Sequence, residues 1–288
     1  MTAAPHGVVV GLRGWAATEL RDLPWRHSRD PWHVLVSEVM LQQTQVARVL
    51  DRYRAFLDRF PTARSCAAAP TSAVIELWAG LGYNRRAVNL WRAASVVTEQ
   101  HDGKMPATLA ELLALPGVGP YTARAILAFA FEQDVGVVDT NVGRLLARWT
   151  GESLSAKQAQ QIADQLVPDG QGWLWNQTLF DFAVAVCRKR DPRCVECPVF
   201  DECEWAGSGD DPAVSSAGVS IAQSRFHGSE RQVRGRLVDA LRSGPVPVAE
   251  LSRFGRDCDD SETLQRIADG LVRDGLALRS GAHLRLPS

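Results

Sequence analysis

Leu115-Pro116-Gly117-Val118-Gly119-Pro120-Tyr121-Thr122-Ala123 is the stretch whose reading decides the fold. Before it, Thr108–Leu115 reads as a helix opened by a Thr108–Glu111 capping box; after it, Tyr121–Phe131 reads as a second helix. Gly117 and Gly119 permit backbone conformations that other residues resist, and they leave no side chain between the backbone N–H groups and a ligand. With Pro120 opening the next helix, the free N–H groups and the helix dipole there favour an anion such as a phosphate. A plain helix-connecting turn satisfies the same nine residues, so taken alone they leave both readings open.

Outward from this hairpin the chain is helical. Asp30 caps a segment that has Pro31 at its first position and carries Val36, Val39, Val46, Val49, Tyr53, Phe56 and Phe60 at helical period, giving one helix over 30–60. Further helices fit Thr71–Trp78, Arg85–Gln100, Val142–Trp149, Ser155–Leu166 and Leu174–Cys187. Strand alternation is almost absent before residue 205, so the fold class is all-α up to there. Residues 208–224 are rich in Gly, Ser and Ala and read as a linker. Beyond it, helices over Glu230–Leu241, Val248–Phe254 and Glu262–Leu276 precede two short strands around Ser280-Gly281, the pattern of a small winged-helix-like α/β domain at 225–288.

The 288 residues suit about two domains, and a hydrophobic fraction of 45% suffices for packed cores. No apolar run approaches the length of a membrane span, and the N-terminus lacks a secretory pattern, so a cytoplasmic protein is expected. A net charge of −1 counts mildly against a nucleic-acid partner. Yet the basic residues are unevenly spread, with Arg188, Lys189, Arg190 and Arg193 in one short segment, and a local basic face can attract phosphate on a neutral molecule.

Of six cysteines, Cys187, Cys194, Cys197 and Cys203 fall in one C-x6-C-x2-C-x5-C segment. That clustering is not a disulfide framework; four thiolates on a compact loop suit a cubane iron–sulfur cluster or a tetrahedral zinc. Cys66 and Cys258 read as ordinary buried thiols.

Two carboxylates stand out. Glu38 lies among Leu35, Val36, Val39, Met40 and Leu41; buried there it would carry a raised pKa and could deliver a proton, whereas on a polar helix face it would be an ordinary surface glutamate. Asp139 follows the apolar run Val135–Val138 and precedes a helix, a position that suits an N-cap and equally suits stabilising a developing cation.

Five motifs together, SEVMLQQTQV (37–46), GLGY (80–83), LPGVGPYTA (115–123), VDTNVGR (138–144) and the cysteine loop, resemble the MutY-type adenine glycosylases of the helix-hairpin-helix base-excision superfamily. The resemblance spans roughly residues 8–207 and implies a two-lobed DNA glycosylase domain over 1–207, with a helical lobe at 30–135 and an iron–sulfur lobe from 1–29 and 136–207. It implies a 4Fe-4S cluster on the four cysteines and, as partner, double-stranded DNA with a mispaired or damaged base, bound by a monomer. Glu38 would protonate adenine and Asp139 would stabilise the cationic sugar, with Asn141 positioning these groups. Tyr121 stands where bifunctional relatives such as endonuclease III carry a Schiff-base lysine, so strand cleavage should be weak or absent. Gln43 would enter the base stack, Gln42 and Thr44 would touch backbone, and Tyr83 would wedge beside the orphaned base. Gly117, Val118 and Gly119 would hold phosphate, and Trp25, Arg26 and Gln177 would line the adenine pocket. Family members usually continue into a Nudix-related domain that reads 8-oxoguanine; the tail here is too short for it, though RQVRGRL (231–237) resembles some actinobacterial members, and Arg231–Arg236 with Arg242 would form a basic edge. Phe182-Ala183-Val184 also departs from the family's usual small Gly-Ala step. The alternatives are a relative acting on thymine or uracil, and a non-catalytic iron–sulfur DNA-binding or redox-sensing protein.

Overall fold

The computed structural model describes residues 6–216, 225–256 and 258–288. The helices are α1 (His6–Glu19), α2 (Pro31–Leu41), α3 (Val46–Arg59), α4 (Ala63–Ala67), α5 (Thr71–Leu77), α6 (Arg85–Gln100), α7 (Leu109–Leu113), α8 (Pro120–Phe129), α9 (Thr140–Thr150), α10 (Ala156–Leu166), α11 (Gly172–Ala185), α12 (Glu230–Ser243) and α13 (Ser261–Arg273). Strands β1 (Val246–Pro247), β2 (Leu278–Ser280) and β3 (His283–Arg285) form an antiparallel sheet in the order β1-β3-β2. The helical main body and the small C-terminal α/β element are the fold class expected from the sequence.

The chain divides into two compact units, 1–34 with 107–109 and 119–222, and 35–106 with 110–118 and 223–288. This differs from the lobes drawn on sequence: 30–34 and 107–109 group with the first unit. Helix α8 belongs to the first unit, and the C-terminal segment belongs to the second unit rather than standing alone.

In the first unit, α9, α10 and α11 pack with α1 around Leu12, Leu145, Leu146, Trp175, Leu179 and Phe182. The Phe182 ring meets Trp15 edge-on at 5.4 Å. Asn176, 1% exposed on α11, ties the extended run before α9 to this core. Its Oδ1 accepts from the Val137 N–H at 2.8 Å, and its Nδ2 donates to the Val135 carbonyl at 2.9 Å. Residues 208–216, expected as linker, are built into this unit: Asp211 accepts from Arg148, Ala213 is buried, and the Ser216 hydroxyl accepts from the Leu154 N–H. The rest of that expected linker, 217–224, lies outside the described residues.

In the second unit, Val49, Phe56, Phe60, Val74 and Trp78 are buried, with Phe56 edge-on to Phe60 and Trp78. The C-terminal part has its own apolar layer of Val233, Leu237, Leu241, Leu264, Ile267, Leu271 and Leu284. It also contacts α5, and the Ser72 N–H donates to the Pro287 carbonyl at 3.0 Å.

The single helix expected over 30–60 is broken. Asp30 caps its start as expected, accepting from the Trp32 N–H, but α2 ends at Leu41 and α3 begins at Val46, with Gln43 between them at φ +54°. The apolar period runs through the break because both helices bury the same kind of face; the polar run Gln42–Gln45 is what interrupts them.

Replacing Asn176 by Ala leaves a buried N–H and a buried carbonyl without partners. We expect urea unfolding to report a loss of about 3 kcal/mol.

Candidate active site

Glu38 sits on α2 and is 6% exposed, with Leu35, Val36, Val39 and Met40 buried beside it. The surface-glutamate reading is therefore excluded: the carboxyl group is inside. Asp139 is the N-cap of α9. Its Oδ1 accepts from the N–H groups of Asn141 (2.8 Å) and Val142 (2.7 Å), and its Oδ2 accepts from the Asn141 side-chain amide (2.8 Å). Asn141 is held in turn by Arg144, which donates to its Oδ1 at 3.1 Å. The same guanidinium donates to the carbonyls of Ala183 (2.7 Å) and Cys187 (3.1 Å). A continuous chain of hydrogen bonds thus joins the Asp139 carboxylate to the backbone of the first cysteine of the four.

Those cysteines converge. Cys187, Cys194, Cys197 and Cys203 all line one cavity of about 340 Å³, counted with its mouth, together with Arg148, Phe182 and Trp205. All four are free thiols. Arg148, 1% exposed, donates to Cys187 Sγ at 3.4 Å and to the Arg188 carbonyl at 2.7 Å, pairs with Asp211 at 2.6 Å, and lies 4.5 Å from the Trp205 ring. Arg144 and Arg148 lie one helical turn apart on α9, so both reach the cysteine loop. The backbone at Gly207 (φ +80°) passes so close that a Cβ there would stand 3.1 Å from Cys194 Sγ. Among the described residues no three His, Cys, Asp or Glu side chains close around a point as the ligands of a single ion would. Two of the basic residues of this loop have partners within it: Arg188 donates to the Asp191 carbonyl and Arg193 stands 3.5 Å from Glu196.

Arg26 and Trp25 lie on the 3-10 turn Pro24–Arg26, both buried. Arg26 forms a bidentate pair with Asp181 of α11 at 2.6 and 2.9 Å, and Arg21 joins the same carboxylate through its backbone N–H at 2.8 Å. Burial alone would raise the Asp181 carboxyl, but these hydrogen bonds outweigh it and hold the group below its ordinary value. Among the described residues, the buried Arg26 Nε–H finds no hydrogen-bond acceptor, nor does the buried Trp175 indole N–H. Gln177 is buried on α11. Tyr121 lies in the first turn of α8, its ring 6.4 Å from that of Phe180.

The remaining predicted residues stand on two loops of the second unit. Gln42–Thr44 follow α2, and Gly80–Tyr83 precede α6. Gln43 and Tyr83 are both exposed and both left-handed, at φ +54° and +45°. One side chain holds both loops. Arg86, 8% exposed, donates through Nη1 to the carbonyls of Val39 (2.7 Å), Met40 (2.9 Å) and Gln42 (2.6 Å). Through Nη2 it donates to Thr44 Oγ1 and to the carbonyls of Leu81 and Gly82, each at 3.0 Å. Its guanidinium lies 5.7 Å from the Tyr83 ring. Burial pushes its pKa down to about 10, still far above neutrality.

In the hairpin between α7 and α8, Gly117 has φ +77°, and a Cβ there would stand 2.7 Å from the Asn89 Cβ. Gly119 is different from expectation: its φ of −96° suits any residue, and a Cβ would meet nothing within 4 Å. What Gly119 leaves is open space at the N-cap of α8. Val118 is buried, and its N–H is used within the turn, donating to the Leu115 carbonyl. Cys66 is buried as expected, its thiol pushed up to about 12, but Cys258 is exposed, since it lies on the polar connection before α13.

The description "HhH-GPD superfamily base excision DNA repair protein" matches residues 36–169. A protein of Mycolicibacterium smegmatis named "Adenine DNA glycosylase" is 38% identical over 272 residues, covering 93% of this chain and 91% of its own. The chain belongs to the HhH-GPD superfamily of base excision DNA repair proteins. Among solved structures of the superfamily's fold, a thermostable thymine-DNA glycosylase matches with a TM-score of 0.67 at 31% identity, over 69% of this chain and 95% of that one. A trapped endonuclease III–DNA covalent intermediate matches with a TM-score of 0.61 at 22% identity over the same shares, a likeness of fold.

Sequence reasoning missed Arg86, Arg144, Arg148, Asn176 and Asp181. For four of them the signal was available: Asn176 and Asp181 interrupt an apolar helix, and Arg144 and Arg148 share a helix face. For Arg86 nothing local distinguished it from its neighbour Arg85.

Because the Asp181 carboxyl is depressed in the folded state, its pairing stabilises the protein above about pH 4 and is lost as pH falls through its folded pKa. Urea midpoints measured from neutral to acid pH should show Asp181→Asn less stable at neutrality and with a shallower acid decline than the unsubstituted protein.

Proposed function

We propose that the protein removes adenine mispaired with 8-oxoguanine or guanine from duplex DNA, leaving the strand uncut. The observation that carries this reading is the burial of the Glu38 carboxyl among apolar side chains, away from bulk water. The alignment with the mycobacterial adenine glycosylase supports the choice of base, and it extends over too much of the chain to leave the C-terminal part out.

Glu38 donates its proton to N7 of the extruded adenine, the C1′–N9 bond breaks with its electrons going to the base, and the Asp139 carboxylate offsets the positive charge left on the sugar. Water then adds at C1′ and returns a proton to Glu38. Asn141, fixed by Arg144, keeps the Asp139 carboxylate in one orientation. The buried Arg26 Nε–H, which finds no acceptor among the described residues, supports a bound acceptor beside it, as an adenine ring nitrogen would provide, with Trp25 and Gln177 as further lining. Gln43 and Tyr83, both held out on left-handed backbone, serve to fill and wedge the stack, while Gln42 and Thr44 touch backbone and the Gly117–Gly119 hairpin takes phosphate. Tyr121 offers no amine for a Schiff base, so no β-elimination follows.

The four free thiols converging on one cavity support a 4Fe-4S cluster held by Cys187, Cys194, Cys197 and Cys203, because a cubane spreads its ligands more widely than a single ion does. Bound there, it would fix the loop that Arg144 and Arg148 grip.

A second reading, excision of mispaired thymine, has the likeness to the thymine-DNA glycosylase in its favour. Duplexes carrying A:8-oxoG, A:G, T:G and U:G, incubated with the protein as a monomer and then treated with alkali, separate the two. Breaks at adenine alone, and only after alkali, are expected; breaks at thymine would replace the first reading by the second. Glu38→Gln should slow adenine release at least about 100-fold while duplex binding persists. Metal analysis should find about four irons and four acid-labile sulfides per chain; a single zinc would refute the cluster.

A further inference from the structure

The C-terminal part of the second unit was expected to offer Arg231–Arg236 with Arg242 as a basic edge to DNA, and two of those arginines are paired within the unit, Arg234 with Asp274 and Arg242 with Asp239. What these residues secure is a docked position. Arg242 also reaches α5 and the start of α6, donating to the Ile75 carbonyl at 3.1 Å and to Asn84 Oδ1 at 2.9 Å. Asp274 stands 3.7 Å from Arg85, and a Cβ on Gly275 would lie 2.9 Å from an Arg92 nitrogen. These contacts of Arg242, Asp274 and Gly275 fall on residues 75–92, the segment that contains the Gly80–Tyr83 turn.

One contact reaches Tyr83 itself: Arg231 Nη1 donates to the phenol oxygen at 2.9 Å. Tyr83 is 41% exposed, follows Gly82 at φ +71°, and has φ +45° itself, a conformation in which a bulky residue persists only when its surroundings impose it. Arg86 fixes the turn from below, through the Leu81, Gly82 and Tyr83 carbonyls and the ring face. Arg231 fixes the outer end of the same ring.

We propose that Arg231 is a positioning residue for the Tyr83 wedge, and that the C-terminal module acts by bracing this wedge rather than by gripping DNA itself. The inference rests on Tyr83 entering the stack, as in the function proposed above. A ring already held at both ends enters the stack without losing further rotational freedom, so the module lowers the cost of opening the pair.

The test is a double-mutant cycle read by binding to a duplex with a tetrahydrofuran abasic analogue opposite guanine, and to the same duplex undamaged. Arg231→Met and Tyr83→Phe should each weaken the abasic complex about 10-fold and leave undamaged binding unchanged. The doubly substituted protein should be no weaker than either, and Arg231→Lys should recover part of the loss. Losses that multiply, no loss, or equal losses on both duplexes would overturn the proposal; the last would make Arg231 a phosphate contact. Adenine release by the unsubstituted protein is measured alongside. Coupled losses without adenine release would uphold the brace and sink the proposed activity, whereas adenine release with independent losses would do the reverse.

Discussion

A single buried guanidinium carries the organisation of the second unit. At the end of α2, where the helix stops, Arg86 donates to the carbonyls of Val39, Met40 and Gln42. The same group takes Leu81 and Gly82 carbonyls from the turn before α6. Only a planar fork with donors on both arms can satisfy two loops at once; a lysine ammonium could serve one. Burial lowers its pKa but leaves it charged at neutrality, so the cost of burying it is met by carbonyl dipoles instead of a carboxylate. Gln43 and Tyr83, exposed on left-handed backbone, hang from loops that this contact fixes.

The first unit repeats the device. Helix α11 ends at Ala185, and Arg144 takes the carbonyls of Ala183 and Cys187 while gripping Asn141, which grips Asp139. Cations near helix C-termini are favourable on dipole grounds as well. Here the consequence is that the orientation of a carboxylate and the shape of the cysteine loop share one guanidinium. Arg148, a turn further on, ties the other side of that loop to Asp211. The near-zero net charge fits this pattern: many arginines are consumed in holding loops and acids in place, so composition understates how much positive charge is organised.

Much was legible beforehand. Helix α6 matched its expected limits residue for residue, because Asn84 and the polar residues after Gln100 bound a clean apolar period. The hairpin, the Asp139 cap and the two strands around Ser280-Gly281 followed from glycine placement and capping chemistry, whereas β1 was not read. The break between α2 and α3 was not read as a break, since hydrophobic period survives a reversal of direction when both helices face cores. Gly119 was assigned a backbone role that only Gly117 fills, because dipeptide chemistry cannot tell which of two glycines has positive φ.

Sequence alone singled out the candidate residues: two carboxylates, four clustered thiols, a glycine hairpin and a polar interruption in an apolar helix, each set by local pattern. Tertiary structure alone decided how they are held. That Glu38 is buried, that Arg86 joins two loops nearly forty residues apart in sequence, and that Arg231 meets Tyr83 all depend on contacts between distant segments. Local propensity cannot specify these, because a guanidinium selects its acceptors only after the folding of both loops has brought them within reach.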